Sequence, residues 1–499
     1  MNFKKVLIVN RGAIAVRIIQ AVQELGMKAV AVYSTPDERS LHLHWADEAY
    51  ELPGESPTDT YLNQTKILEI ARLAKVDAVH PGYGFLSENA SFAENVRKAG
   101  FVFVGPSANA MREMGSKTRA REIMAKAGVP VVPGFQWTDA SPDKIANEAK
   151  HIGYPVLVKA SAGGGGKGMK VVHSESELAE ALASARREAK NAFGDDTVFI
   201  EKYIENPRHI EVQILGDSCG NIVHLFEREC SIQRRHQKIL EEAPSPFMTP
   251  ELRARMCADA IRAGSAVAYE NAGTVEFIVD TKGNYFFLEM NTRLQVEHSI
   301  TEMTTGIDLV KMQLRIAMGE PLPWKQSELV QRGAAIEVRI YAEDPETGFL
   351  PSTGTIRYLD PPEGVNIRND LGIHAGVPVT LFYDPLLAKL TVFGMTREHA
   401  IERLRWALER YGIGGIRTNI AFLRAVVEHP AFKNGETDTG FIPRHFEHWK
   451  APAEEIPGEA LALAALSEFL RSEDKVPSGE GFTLASDPFT LWGGEESHV

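Results

Sequence analysis

Residues 1–110 alternate short apolar runs with amphipathic segments, and no other feature of the chain constrains its fold as strongly. Residues 6–9 (Val-Leu-Ile-Val) are a short apolar run. Residues 12–25 carry apolar side chains at helical spacing and stop at Gly26, and 29–33 reads as strand again. A helix follows over 61–74, a strand end at 78–80, a helix over 88–99 and a strand over 101–104. Strands alternating with helices predict a parallel, doubly wound sheet. Its first turn, Asn10-Arg11-Gly12-Ala13, has no G-x-G-x-x-G. The shape is therefore Rossmann-like without the dinucleotide fingerprint.

A second region spans about 116–329. It opens with a polar helix over 117–128, and the prolines and glycine of Val129-Pro130-Val131-Val132-Pro133-Gly134 then break structure. A third region, about 332–445, reads as strands at 335–341, 355–358 and 388–393, then helices at 397–411 and 419–429. In the tail Leu463, Leu466 and Leu470 lie at helical spacing, and 472–481 reads as a flexible linker. At ~100–200 residues per domain, 499 residues suggest about three domains. The chain has 54 basic and 67 acidic residues, a net charge of −13, so a nucleic-acid partner is not expected. From Ala451 onward there are ten acidic and two basic residues. Apolar runs fall short of the ~20 residues that span a bilayer, and the first run is too short for a secretion signal. Three cysteines without CxxC spacing fit a reducing cytoplasm.

The buried-type strand Pro155-Val156-Leu157-Val158-Lys159 runs into Gly163-Gly164-Gly165-Gly166-Lys167-Gly168, and Met169-Lys170-Val171-Val172 reads as strand again. Glycines let backbone N–H groups approach phosphate oxygens. A P-loop needs Ser or Thr after Gly-Lys and then a helix, so this is a different device, a flap over a triphosphate or a plain hairpin tip.

Residues 274–279 and 285–290 read as strands joined by the turn Asp280-Thr281-Lys282-Gly283-Asn284. If the hairpin closes symmetrically on Lys282-Gly283, Glu276 sits opposite Glu289. Facing like charges destabilise unless compensated, and a divalent cation compensates; otherwise both carboxylates point to solvent. Next, Asn291, Arg293, Gln295 and Glu297 alternate with apolar or small residues, so an extended segment aims four polar groups one way. Gln233-Arg234-Arg235-His236-Gln237-Lys238 concentrates positive charge, either to receive an anion or as a solvated face paired with Glu241 and Glu242. Arg339 falls on the polar face of the strand Glu337-Val338-Arg339-Ile340-Tyr341, where a surface ion pair is the common fate.

These segments, in this order, resemble biotin carboxylase of the ATP-grasp superfamily. The resemblance covers about residues 1–446. It rests on Asn10-Arg11-Gly12, His80-Pro81-Gly82-Tyr83-Gly84-Phe85-Leu86-Ser87-Glu88-Asn89, Lys159 with the glycine stretch, Glu201-Lys202-Tyr203, the basic cluster, residues 289–298, Arg339 and Tyr383-Asp384-Pro385. It implies an α/β and α+β multidomain fold: a Rossmann-like N-terminal domain (1–114), an ATP-grasp domain (115–330) with a mobile lid at about 132–203, and a C-terminal α+β domain (331–446). Residues 447–499 remain as an acidic tail. The implied reaction is phosphorylation of bicarbonate by ATP with Mg²⁺ (or Mn²⁺), breakdown of carboxyphosphate to CO₂ and phosphate, and carboxylation of carrier-bound biotin.

The same resemblance implies residue roles. Lys117, Lys159, His209, Gln233 and His236 contact ATP, under a lid tipped by Gly164, Gly165, Gly166, Lys167 and Gly168. Glu201, Lys202 and Ile204 line the adenine pocket. Glu276 and Glu289, with Asn291, hold the metal. Lys238, Arg293, Gln295 and Val296 hold bicarbonate, Glu297 deprotonates it, and Arg339 stabilises the biotin enolate, with Tyr83 beside the substrate. Such a lid keeps water from carboxyphosphate. Ala13, Ser299 and Ala335 depart from the family pattern, where Glu, Pro and His are usual. Lys170 and Lys28 do not sit in an Ala-Met-Lys-Met context, so a separate biotin carboxyl carrier protein and carboxyltransferase are implied, and a homodimer. The tail, with Trp492 as anchor, is either a partner-docking segment or a plain extension. The alternatives are another ATP-grasp carboxylate–amine ligase and a non-catalytic nucleotide-binding scaffold.

Overall fold

The computed structural model describes residues 3–135, 141–160, 169–193, 196–235, 237–452 and 458–473. Val6, Leu7 and Ile8 are fully buried, as a strand covered on both faces requires. They lie in β1 (Lys5–Ile8), which pairs with β2 (Lys28–Ser34), β3 (Glu48–Leu52), β4 (Ala78–His80) and β5 (Val102–Phe103) in the order 3-2-1-4-5. Every pair is parallel, as the alternation predicts. The helix Gly12–Glu24 packs Ile14, Ile18, Ile19 and Val22 against this sheet. Asn63 and Asn89 cap the next two helices, Gln64–Leu73 and Ala90–Lys98, by accepting from Lys66 N (3.1 Å) and Phe92 N (2.8 Å).

Two differences from the sequence reading stand out here. The helix expected from residue 61 starts at Gln64, because Tyr61 is drawn into the core, its hydroxyl donating to Asp37 at 2.6 Å. The reading also passed over the helix Leu41–Trp45 and the edge strand β3. An edge strand with two glutamates carries little apolar signal.

β6 (Gly134–Phe135), β7 (Val156–Ala160), β8 (Lys170–Val172) and β9 (Val198–Lys202) form an antiparallel sheet in the order 6-9-7-8. β7 and β8 flank the glycine stretch and pair with each other. A strand follows the loop where a P-loop would have a helix. Gly164, Gly165, Gly166, Lys167 and Gly168 themselves lie outside the described residues.

The largest sheet is antiparallel. It joins β10 (Arg208–Gly216), β11 (Ile222–Arg234), β12 (Gln237–Ala243), β13 (Asn271–Val279), β14 (Tyr285–Asn291), β15 (Ala334–Tyr341), β16 (Ile367–Leu371) and β17 (Leu386–Gly394) in the order 14-13-10-11-12-15-17-16. β12 pairs with β15, so the sheet runs without a break across residue 330. Helix Pro250–Ala266 packs on one half, through Leu252, Met256 and Ala260. Helices Arg397–Arg410 and Ile420–Glu428 pack on the other, through Leu404, Leu408 and Val426. The single strand expected at 355–358 is two short ones, Gly354–Thr355 and Tyr358–Asp360, with different partners.

Residues 450–499 form a separate unit. Its helix Gly458–Glu473 exposes Leu461, Leu463 and Leu466 and continues past Ser472, where a linker was expected. Trp492 lies outside the described residues. Among the described residues no helix is long and apolar enough to cross a membrane. The cysteines are free, Cys219 exposed and the other two buried.

Candidate active site

The β13–β14 hairpin brings Glu276 opposite Glu289, but by a different route from the one expected. The Asp280 carboxylate accepts from Lys282 N (2.8 Å) and Asn284 N (2.9 Å) and closes a loop over 280–284 centred on Lys282. Next to it Val279 faces Tyr285, and Phe277 faces Phe287. Continued regularly, that register would put Leu288 opposite Glu276. The register instead shifts between Phe277 and Glu276, and the exposed Leu288 is left over. This one-residue bulge aligns the two carboxylates.

Four groups converge on buried Glu276. Lys238 Nζ (2.9 Å), Asn291 Nδ2 (2.8 Å) and Gln295 Nε2 (2.9 Å) donate to Oε1, and His209 Nε2 lies 2.9 Å from Oε2. Burial pushes this carboxyl up, but Lys238 and His209 outweigh it and hold it below the usual carboxylate range. Glu289 is half-buried and has no hydrogen bond or ion pair among the described residues. Burial, then the Glu276 charge, push it up. Ligand atoms of His209, Glu211 and Glu276 also come within 4.8 Å of one another, but Arg228 and Lys238 already neutralise Glu211. The unpartnered Glu289 facing Glu276 beside the Asn291 amide is the arrangement that fits Mg²⁺, an oxygen-seeking ion.

Lys238 is the hub. Its ammonium lies 2.7 Å from Glu211, 2.9 Å from Glu276 and 2.7 Å from Glu297. Burial lowers its proton affinity, yet these three carboxylates raise it well above that of a free lysine. Glu297, fully buried, accepts from Lys238 on Oε1 and from Arg339 Nη2 on Oε2 at 2.9 Å. Burial opposes its charge, but Lys238, Arg339 and Arg228 hold it well below the ordinary range, so it is ionised.

Arg339 is buried rather than in a surface ion pair, because β12 and β17 flank its strand. Its Nε donates to Glu241 at 2.6 Å. Burial, with the Glu297 and Glu337 charges, pushes Glu241 up to about 8 despite Arg339. Arg293 reaches Asn291 Oδ1 (3.1 Å), Gln295 Oε1 (2.9 Å) and Glu88 (3.2 Å). The four alternating residues do meet, although Glu297 sits in the turn before helix His298–Thr305 and not on an extended strand.

At the nucleotide end Lys159 Nζ donates to Glu201 Oε1, and Arg121 holds the other oxygen at 3.2 Å. Lys202 donates to the carbonyls of Gly153 (2.9 Å) and Tyr154 (3.0 Å). Gln233 Nε2 pairs with His209 Nδ1 at 2.8 Å. Lys117 is exposed and near enough to act on the Glu289 charge. Ile204 is half-buried after β9, and His236 lies outside the described residues. Asn10 Nδ2 holds the carbonyls of Pro81 and Tyr83, both at 2.7 Å, and burial pushes the Tyr83 hydroxyl well up.

Sequence reasoning missed Glu211, Glu241 and Glu88 as site residues. The signal for Glu211 was present: His209, Glu211 and Gln213 alternate with Ile and Val along β10. Glu211 faces Glu276 across the ladder.

Family models match most of the chain. "Biotin carboxylase, N-terminal domain" matches 2–111, "Carbamoyl-phosphate synthase L chain, ATP binding domain" 116–325, and "Biotin carboxylase C-terminal domain" 337–444. Biotin carboxylase of Halalkalibacterium halodurans is 53% identical over 445 residues, covering 89% of this chain and 98% of the relative. The mitochondrial methylcrotonoyl-CoA carboxylase subunit alpha of Rattus norvegicus is 49% identical over 500 residues, covering 100% of this chain and 70% of the relative. Among solved structures, the biotin carboxylase domain dimer of Hydrogenobacter thermophilus 2-oxoglutarate carboxylase is a complex with MgADP, ADP and bicarbonate. It is 46% identical, with a TM-score of 0.83, covering 91% of this chain and all of that one.

Proposed function

The chain belongs to the biotin carboxylase family and carboxylates biotin with ATP and bicarbonate, and we propose that Glu297, Lys238 and Arg339 form the reacting centre of that chemistry. One observation carries the reading: a single ammonium, Lys238, bridges the metal-type carboxylate Glu276 and the base Glu297, whose other oxygen meets Arg339. The groups that would handle phosphoryl transfer and enolate formation are thus in direct contact.

Glu297 is ionised, as a base must be, but two cations make it a weak one. Bicarbonate and phosphate are anions that compete for Lys238 and Arg339. Their arrival raises the proton affinity of Glu297 when it must take the bicarbonate proton. Lys238, Arg293, Gln295 and Val296 hold bicarbonate. Mg²⁺ held by Glu276 and Glu289, with Asn291, would neutralise charge on the transferring phosphoryl group. Lys117, Lys159, His209 and Gln233 contact ATP; Glu201, Lys202 and Ile204 line its base; and His236 and the glycine stretch complete this end. Arg339, always protonated, stabilises the biotin enolate beside Tyr83. The proposed domains are 1–114, 115–330 and 331–446.

Identity to the methylcrotonoyl-CoA carboxylase alpha subunit extends through the tail, which supports an acyl-CoA as final acceptor, taken by a separate carboxyltransferase. The carrier biotin comes from outside these residues. The free cysteines support a reducing compartment such as the cytoplasm, and the dimeric neighbour supports a homodimer. The test is ADP release from MgATP and bicarbonate, with and without free biotin. Biotin should stimulate turnover, and Glu297→Ala and Arg339→Ala should each abolish the stimulation. A fully active Glu297→Ala refutes the assignment.

A further inference from the structure

Lys389 is almost wholly buried, on β17 directly opposite Arg339. A buried ammonium needs partners, and Lys389 has three. Two are carboxylates, Asp370 at 3.2 Å and Glu337 at 3.3 Å. The third and shortest is neutral: Nζ donates to the carbonyl of Val296 at 2.5 Å. The preceding carbonyl, that of Gln295, meets the ring Nδ1 of buried His298 at 2.9 Å. Burial, then the Lys389 charge, hold His298 down at about 3. The ring is therefore neutral, and the nitrogen facing a carbonyl carries its proton.

Two donors thus pin the two consecutive carbonyls that precede the Glu297 side chain. A peptide group is planar and trans, so its N–H points away from its C=O. Pinning Gln295 O and Val296 O therefore fixes the opposite directions of the Val296 and Glu297 N–H groups. Among the described residues neither N–H has a hydrogen-bond partner. Glu297 is buried and Val296 partly so; a buried backbone donor finds a partner, and Lys238 and Arg293 beside this turn make an anion the natural acceptor.

Lys389 is itself held in place. Glu337 is fully buried and accepts from Thr391 Oγ1 at 2.9 Å and from Ser299 Oγ. Ser299 stands where the family pattern has Pro, so in this chain a hydroxyl joins the support. Asp370 is gripped by Arg368 at 2.8 and 3.1 Å.

We propose that Lys389 is a positioning residue for bicarbonate, holding the Val296–Glu297 turn so that its free N–H groups and the Glu297 carboxylate face the anion. The proposal rests on the reading of Glu297 as the base. The test compares bicarbonate-dependent ADP release and the separate KM values for bicarbonate and ATP in the full chain. Three variants are used: Lys389→Met; Lys389→Met with Glu337→Gln, which removes one charge of each sign; and Glu297→Gln as control.

Both Lys389 variants should raise the KM for bicarbonate about tenfold or more, the weight of a charged hydrogen bond, with the KM for ATP within about twofold of the parent. An unchanged KM for bicarbonate overturns the positioning role, as does an equal rise for both substrates. Failure of both variants to fold assigns Lys389 to the core instead. If Glu297→Gln turns over like the parent, the reading of the base fails, and that result is distinct from any of these.

Discussion

Glu289→Gln should change stability in opposite directions with and without Mg²⁺. Without metal, the Glu289 carboxylate faces Glu276 across two paired strands and has no cation of its own. Removing its charge while keeping its shape relieves a like-charge pair worth roughly 0.2–1 kcal/mol, on the order of 1 °C in the unfolding midpoint of a chain this long. The pH dependence follows from the direction of its shift. Burial and Glu276 raise the folded-state value of Glu289, so its protonated form favours the fold. That contribution is full below the unfolded value of ~4.3 and is lost as pH rises through the raised folded value. The gain from the amide should thus be absent near pH 4 and complete at pH 8. With MgADP the sign reverses. Ligand at about a hundred times its Kd stabilises by ~2.7 kcal/mol, and a site weakened roughly 30-fold by loss of one carboxylate keeps only ~0.9. Thermal unfolding of parent and variant, in EDTA and in saturating MgADP at pH 4.5 and 8, reads both effects. A variant less stable than the parent in EDTA at pH 8, or one with an undiminished MgADP shift, refutes the carboxylate-pair reading.

Deleting Leu288 should leave the site nearly intact. The bulge residue is exposed, and without it the register set at the turn runs straight on to put Glu276 opposite Glu289. Turnover should stay within about threefold of the parent, and a loss beyond a hundredfold in a folded variant would mean that the bulge itself shapes the site. Arg11→Met should make the fold sensitive to acid. Burial works against the Asp37 charge, but Arg11, bonded to both its oxygens at 2.7 Å, holds it at about 2. A depressed folded value means stability present above the unfolded ~3.9 and lost as pH falls toward 2, about 2–3 kcal/mol in all. The variant should unfold at a higher pH than the parent in an acid titration followed by circular dichroism, and an unmoved midpoint refutes the coupling.

The parallel sheet was legible in the sequence because each strand is a local apolar run and each helix a local period. Glu276 and Glu289 were legible because a hairpin fixes its own partners within a few residues. Even there two local errors cancelled: the turn centres on Lys282 and not between Lys282 and Gly283, which moves the register by one residue, and Leu288 restores the offset. Arg339, Glu241, Glu211 and Lys389 were harder for a different reason. Each sits on a strand whose polar alternation also describes a solvated edge, and what decides between core and edge is which strands lie beside it. β12 meets β15 across a gap of about ninety residues in the chain, and no local period records that pairing.

Once the strand order is known, those charges form one band across the sheet. Glu289 faces Glu276, which faces Glu211, which faces Arg228; from β12 onward, Glu241 faces Glu337, and Arg339 faces Lys389, which faces Asp370. Carboxylates facing one another, as at 289, 276 and 211 or at 241 and 337, tolerate burial only where a cation reaches over them. Lys238 does so on one side and Arg339 with Lys389 on the other. Glu297 lies where the two groups of cations meet, touching Lys238 with one oxygen and Arg339 with the other. A carboxylate so placed gains proton affinity from an anion that draws off either cation. That places the proposed reacting centre at the junction of β12 and β15, where the two halves of the sheet join.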